Sequence, residues 1–425
     1  MHRRFNSAHE IGVSQTTRHI VIVGAGHAGG VAAATLRQTG FAGAITLIGS
    51  ERHPPHERPP LSKELLAGAI PVEKTYLRPA AFYGDNRIDF RPGETVTAID
   101  RAAQRITLAS GNVVPYDNLL LTTGARARRL SLPGADHPRV LYLRDITDSL
   151  ALREHLNAGV RVAVIGAGFI GLEAAAAARK RGAHVTVLEI QREPLQRVCP
   201  PEIGQFMAAL HRRNGVDLRT AISITAIVDA DGALALHLAD GSTVAADIVL
   251  AGIGAQPNVE LAQAAGLVVE DGVVTDEFGR TSDPHIFAAG DVTRHFNPLL
   301  GRKIRLEAWQ NAQNQAIAVA QIMAGGDQPY AEVPWFWSDQ YDVNLQIAGA
   351  PEHWGRLIWR GGPNDKAFTV FAARDGIPIA AITMNNGRDM RPARELITRR
   401  RPIDPTQLAD VVVKLQDLAK EIGRG

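Results

Sequence analysis

Two stretches of this chain carry nearly the same phrase, VIVGAGHAGG at 21–30 and VIGAGFIGLEAA at 164–175. Each is an apolar run, a glycine turn and the start of an alanine-rich segment, so each reads as a buried strand passing through a tight turn into a helix. Gly24, Gly26 and Gly29 fit the spacing G-x-G-x-x-G in the first, and Gly166, Gly168 and Gly171 fit it in the second. The first glycine permits the turn, the second lets backbone approach a pyrophosphate, and the third lets helix lie close on strand. The phosphate then rests on the helix N-terminus, where free N–H groups and the helix dipole favour an anion. One such match is weak, because glycine turns join strands to helices in many folds. Two in one chain, each between a strand and a helix, point to a pair of dinucleotide-binding units.

The strand after each turn supplies the next expected group. AITLIG runs into Ser50 and Glu51, where an acceptor for a ribose hydroxyl belongs. HVTVLE ends in Glu189, whose carboxylate can accept from both ribose hydroxyls and would repel a 2′-phosphate. NAD is therefore expected rather than NADP, although Arg192 and Arg197 lie just beyond. One cradle is expected to hold a resident flavin and the other a visiting nicotinamide.

At 425 residues the chain has room for two or three domains. Residues 1–18 read as a tail, 19–126 as the first part of one dinucleotide domain, 127–254 as the second domain, and 255–330 as a return to the first. The return is expected because TSDPHIFAAGD is a strand that delivers Asp291 to its C-terminal end, where open α/β sheets bind ligands. Residues 331–425 change character: alternating apolar patterns and an Asp-Gly turn read as an antiparallel α+β domain. A closing helix is expected to carry Leu408, Val411, Val412, Leu415 and Leu418 on one face.

Composition removes several alternatives. The net charge of +2 gives no bulk attraction to nucleic acid or membrane. Cys199 is the single cysteine, so no internal disulfide, CxxC pair or thiolate cage can form. The two histidines of HPPH, His53 and His56, have no third metal ligand near them in sequence. No apolar segment reaches the length a bilayer needs and no secretion signal is read at the start, so a cytoplasmic protein is expected.

Three further stretches narrow the reading: ERPPLSKELL with Arg58 and Lys63, LLLTTGARAR with Thr123 and Gly124, and the Asp291 strand. Alone they read as a helix cap, a domain linker and a core strand. Together with GFIGLE, AGIGAQPN, RLEAWQNAQNQA and PWFWSDQY, they make the chain resemble the FAD-dependent NADH:ferredoxin reductases of bacterial oxygenase systems, from about His19 to the C-terminus. That resemblance implies two Rossmann-like domains in a glutathione-reductase-like arrangement, the FAD domain discontinuous, plus the C-terminal α+β domain. It implies FAD contacts at Ala28, Lys63, Val96, Arg144, Asp291 and Trp309, and NAD contacts at Ile165, Gly168, Phe169, Glu189 and Gly254. Where the family often has an acid this chain has Ser50, which leaves Glu51 as the expected ribose acceptor.

The chemistry follows from electron counting. NADH gives two electrons together, an iron–sulfur protein takes one at a time, and a flavin does both. The resemblance implies that Lys63 and Glu173 pair beside flavin N5; a purely structural ion pair is the other reading. The helix that opens near Trp309 is expected to turn its N-terminus to the N1/C2 edge of the flavin. Trp335 and Trp337, alternating on a strand, either wall an electron exit or pack the third domain. Arg302, Lys303, Arg305 and Arg399 to Arg401 either gather an acidic 2Fe–2S ferredoxin or form a solvated face. That ferredoxin would serve a P450-type monooxygenase or a Rieske dioxygenase. Enzymes that pass electrons through a disulfide, or need a cysteine beside the flavin, do not fit the cysteine count. An NADH oxidase, a rubredoxin or monodehydroascorbate reductase, and an apoptosis-inducing-factor-like NADH sensor stay open as alternatives.

Overall fold

A computed structural model describes residues 18–424, so the N-terminal tail lies outside the described residues except for Arg18. The first sheet is built on β1 (His19–Val23), which enters α1 (His27–Gln38) and is followed by β2 (Ala44–Gly49), β3 (Ile88–Pro92) and β4 (Asn118–Leu121). A short strand from much later in the chain, Ile286–Ala288, completes it by pairing parallel to β4, Ile286 opposite Leu119. The order is therefore Ile286–Ala288, β4, β1, β2, β3, all parallel. Ile20, Ile22 and Leu120 on one face and Val21, Val23 and Leu119 on the other are buried, as strands covered on both faces require.

The second sheet repeats the plan. It contains β5 (Val140–Leu141), β6 (Arg161–Ile165), then α2 (Phe169–Lys180), β7 (His184–Leu188), α3 (Pro201–Arg213), β8 (Asp217–Arg219) and β9 (Ile248–Ala251). The strand order is β8-β7-β6-β9-β5, again parallel. In both sheets the order reverses beside the strand that carries the glycine turn. That reversal opens a crevice at the strand ends.

The helix α4 (Trp309–Met323) lies against α1 because both present small residues. Ala32 and Ala33 meet Ala312, Ala316 and Ala320 in one buried cluster with Leu36 and Val319. The third sheet is antiparallel and consists of β10 (Trp335–Gln340), β11 (Val343–Ala348), β12 (Arg356–Arg360), β13 (Phe368–Arg374) and β14 (Ile377–Met384). Its order is β10-β11-β14-β13-β12, covered by α5 (Met390–Arg399). Among the described residues no helix is long and apolar enough to cross a membrane.

The closing helix differs from expectation. It is broken into α6 (Pro405–Ala409) and α7 (Leu415–Arg424), and Val411 and Val412 are 65% and 84% exposed. Leu408, Leu415 and Leu418 do reach the core. The cause is Arg360 on β12, whose buried guanidinium takes the carbonyls of Asp410, Val411 and Val413 while its Nε lies 3.3 Å from Asp389. A buried cation needs acceptors. The carbonyls turn toward it, and the helix stops.

Candidate functional site

A cavity of about 1100 Å³ runs between the first two sheets and reaches the third, and both glycine turns line it. Gly24 and Gly166 take φ of +110° and +101°, a region that favours glycine. A Cβ on Gly29 would fall 2.0 Å from the Gly24 carbonyl, and one on Gly171 would fall 2.1 Å from that of Gly166. Gly29 and Gly171 accordingly sit behind the cavity wall, packing helix on strand. The middle glycines are different. A Cβ on Gly26 would meet nothing closer than Arg58 Nη2 at 3.8 Å, and one on Gly168 would meet nothing within 4 Å. Both residues cap their helices with no side-chain hydrogen bond. Each turn thus offers an uncapped helix N-terminus to open space, which fits a pyrophosphate in each.

Around the first turn the polar groups are paired toward one another and still leave capacity. Glu51 Oε1 accepts from Arg58 Nη2 at 2.7 Å, and Arg58 also donates to the Arg144 carbonyl. Arg144 donates to Asp291 Oδ2 at 2.9 Å, while its Nε and the Oε2 of Glu51 have no hydrogen-bond partner among the described residues. Burial raises the Glu51 pKa, but Arg58 overcomes it and the net direction is down. His56 lies 3.5 Å from Glu51, yet burial, helped by Arg58, pushes its pKa down to about 4. At neutral pH the imidazole is therefore uncharged, and this contact is not an ion pair. A free buried acceptor and a free buried donor on this wall are what a dinucleotide's ribose and phosphates would satisfy. Ser50, Ala28, Thr123, Gly124 and Trp309 line the same part of the cavity.

Around the second turn Glu189 is 9% exposed, its carboxylate fixed by the Ala167 N–H at 2.6 Å and the Gln191 N–H at 2.8 Å. Each oxygen keeps acceptor capacity for a hydroxyl. Ile165, Phe169, Gly254 and Arg197 line this end. Phe169 leans on Phe336 of β10 with ring centroids 4.3 Å apart, so the third sheet closes this side.

Lys63 and Glu173 lie where the two halves meet, 3.4 Å apart, with Lys63 also 3.5 Å from Asp339. Glu173 is 6% exposed, and Ser338 Oγ donates to it at 2.6 Å while Ser62 Oγ donates to its other oxygen. Burial raises its pKa; Lys63, Ser338 and Ser62 work against that shift. Trp337 lies 5.7 Å below the Lys63 ammonium, stands edge-on to Trp309 at 5.6 Å and stacks on Trp335 at 5.1 Å. Trp337 and Trp309 line the cavity, and Trp335 stands behind them under Arg394.

Some expected residues fall elsewhere. Val96 begins a strand of a separate antiparallel sheet, pairs with Leu108 and packs against the buried cluster that holds Ile106 and Leu108, off the cavity wall. The basic run at 302–305 is answered by carboxylates: Arg302 by Glu352, Lys303 by Glu270, Arg305 by Asp271 and Glu307. Arg399 pairs with Glu395 and Arg400 donates to the Leu299 carbonyl. Cys199 is 2% exposed in the core with Leu195 and Ile203, and burial pushes its thiol pKa up. Sequence reasoning missed Ser62, Ser338 and His27. The two serines stand inside quoted motifs, RPPLSK and PWFWSDQY, and a hydroxyl beside a buried acid was the signal available. His27 lines the first cradle with Nε2 2.8 Å from Gln313 and Nδ1 without a partner among the described residues.

The comparisons with known proteins agree with this geometry. The pyridine nucleotide-disulphide oxidoreductase family matches residues 18–316, and a reductase C-terminal family matches 335–419. The chain is 46% identical to the ferredoxin–NAD(+) reductase component of the anthranilate 1,2-dioxygenase system of Burkholderia cepacia, over 93% of this chain and 98% of that protein. It is 39% identical to putidaredoxin reductase of Pseudomonas putida, over 94% and 96%. It superposes on a crystal structure of the covalent putidaredoxin reductase–putidaredoxin complex with a TM-score of 0.93 at 38% identity, covering 96% of this chain and 100% of that one. With two nucleotide cradles, one shared cavity and this C-terminal sheet, the chain belongs to the pyridine nucleotide-disulphide oxidoreductase family, among the ferredoxin–NAD(+) reductase components of oxygenase systems.

Proposed function

We propose that this protein is a cytoplasmic FAD-dependent NADH:ferredoxin oxidoreductase, passing electrons from NADH to a transient, acidic 2Fe–2S ferredoxin that supplies a P450-type monooxygenase or a Rieske dioxygenase. The observation that carries the reading is the single cavity onto which both glycine turns open. When bound, FAD supplies the conversion from paired electrons to single ones, which no side chain of this chain can perform. The domain assignment goes with it: 19–126 and 255–330 hold FAD, 127–254 holds NADH, and 331–425 forms the face toward the ferredoxin.

The side chains then have defined tasks. Gly24 and Gly26 open the first helix to a pyrophosphate, Glu51 accepts from the ribose, and Arg144 with Asp291 borders the middle of the cofactor. Gly166 and Gly168 do the same for NADH, with Glu189 reading the absence of a 2′-phosphate. Lys63 holds a positive charge at the junction, and Glu173 balances and orients it. Trp309, Trp337 and Trp335 exclude water and lead from the cavity toward the surface. Cys199 is buried and has no second thiol to join, so the reading needs no disulfide step.

Purified protein is expected to be yellow and to bleach when NADH is added without air. Cytochrome c reduction by NADH should rise steeply on adding a 2Fe–2S ferredoxin. Equal rates with and without ferredoxin would favour the NADH oxidase or apoptosis-inducing-factor-like alternatives and remove this one.

A further inference from the structure

The hydrogen bonds around Glu173 continue well beyond its pair with Lys63. Ser338 Oγ, which donates to Glu173 Oε1, lies 3.0 Å from Gln340 Nε2. Gln340 Oε1 lies 2.7 Å from His211 Nε2 on α3, and His211 Nδ1 lies 3.3 Å from the Tyr341 hydroxyl. Ser338 and His211 are 0% exposed and Gln340 is 1% exposed.

Bonding capacity fixes the direction of this string. An ionised carboxylate only accepts, so Ser338 must give it its one hydrogen. Ser338 then accepts from the Gln340 amide, which turns the Gln340 carbonyl to His211 and requires a hydrogen on His211 Nε2. The neutral ring accepts at Nδ1, from Tyr341. If Glu173 is protonated and donates to Ser338, every member must reverse: Ser338 donates onward, the Gln340 amide turns over, and the imidazole carries its hydrogen on Nδ1. In a half-reversed string Ser338 would accept from both Glu173 and the Gln340 amide and leave its own buried hydrogen without an acceptor, at the cost of an unmade hydrogen bond. With the proton on Oε1, the oxygen that faces Ser338, two arrangements satisfy every member; a proton on Oε2 would go to Ser62 and leave the string unreversed.

The far end of the string carries an independent sign of constraint. Tyr341 takes φ of +56°, a left-handed corner that a bulky residue rarely occupies. Glycine or asparagine would fill it at less cost. Tyrosine is held there with its ring edge-on to His211 at 5.2 Å and its hydroxyl closing the string.

We propose that His211, Gln340 and Ser338 are positioning residues that lock the polarity of the hydrogen bonds reaching Glu173, that Glu173 when protonated carries its proton on Oε1, and that the tautomer of His211 follows it. The string is not a proton conduit, because the Gln340 amide does not hand protons on. When Glu173 takes a proton from solvent, the ring loses its hydrogen at Nε2 to solvent and gains one at Nδ1, so the charge change stays on Glu173. The other groups facing Glu173 are Lys63, which is shared with Asp339, and Ser62. Arg179 is the charge beside Tyr341. Burial lowers the His211 pKa, partly offset by Gln340, which agrees with a neutral ring in the string.

The inference rests on the proposed function only in that the pair it governs is the one placed beside the flavin. Its test reads the side chains themselves. FAD-loaded protein carrying nitrogen-15 histidine and carbon-13 glutamate is titrated with pH, following the His211 tautomer by NMR and the Glu173 carboxyl by infrared spectroscopy. The hydrogen on His211 is expected to move from Nε2 to Nδ1 in the same step that protonates Glu173. Ser338→Ala should raise that step by about one pH unit, a tenfold change in the ionisation constant, and should uncouple His211 from it. Ser338→Thr keeps the hydroxyl and should restore both. The proposal is overturned if His211 keeps one tautomer through the Glu173 titration, or if Ser338→Ala leaves the step in place. Should Ser338→Ala not fold, Gln340→Leu decides: a His211 that still follows Glu173 refutes the lock. Ferredoxin-dependent turnover enters none of these readings, so the two proposals fail separately.

Discussion

His295, on the strand Thr293–Asn297, is 1% exposed, and neither ring nitrogen has a hydrogen-bond partner among the described residues. Burial pushes its pKa down to about 4, so the folded protein holds it neutral where the unfolded chain, near the ordinary value of 6.5, would bind a proton. Because the unfolded state binds more protons between those two values, stability falls as pH drops from 6.5 toward 4. Between pH 7 and pH 5 the loss from this one residue is about 2 kcal/mol. His295→Leu should flatten that part of the acid limb, read as a smaller difference between urea midpoints at the two pH values. For Glu189 the expected effect is on cofactor choice instead of stability. Glu189→Ala removes the carboxylate that a 2′-phosphate would face, and the preference for NADH over NADPH should shrink by about tenfold or more, since like charges brought together cost several kcal/mol. Unchanged discrimination would assign the selection to another residue.

The two strand–turn–helix elements make a sharper test, because the glycines within one turn have different tasks. The missing Cβ of Gly168 faces open space, whereas that of Gly171 would run into the Gly166 carbonyl at 2.1 Å. Gly168→Ala should fold and retain FAD, with the KM for NADH raised by about tenfold through loss of roughly 1.4 kcal/mol of binding. Gly171→Ala should instead lower the yield of folded protein, since separating helix from strand costs about 1–3 kcal/mol or more. A Gly168→Ala enzyme with unaltered KM would mean that NADH does not use this turn. At this scale the chain also shows a pattern that misleads. Leu408, Val411, Val412, Leu415 and Leu418 are spaced for one helix, and the helix breaks because Arg360, fifty residues away on β12, draws the carbonyls of the intervening turn.

As a whole molecule, the three five-stranded sheets line one cavity, and the one thiol of the chain, Cys199, is a core residue. Cys199→Ala should therefore keep NADH-dependent turnover and resistance to thiol reagents, at a stability cost of about 1 kcal/mol for the small cavity it leaves. Loss of turnover with FAD still bound would require a redox role for the thiol. The paired dinucleotide units, their glycines and the acids ending their second strands were legible in the sequence, because turn geometry and strand–helix alternation are set by residues adjacent in the chain. So was the absence of any disulfide, which is a matter of counting. The surroundings of Glu173 were not: Ser62, His211 and the pair Ser338 and Gln340 come from three segments, and nothing in the spacing within any one segment calls for the others. The same holds for Arg302, Lys303 and Arg305, which read as an exposed basic run until carboxylates from other segments are seen to answer them. Local chain geometry carries the cradle; burial decides which polar groups must find partners, and only the packed chain supplies them.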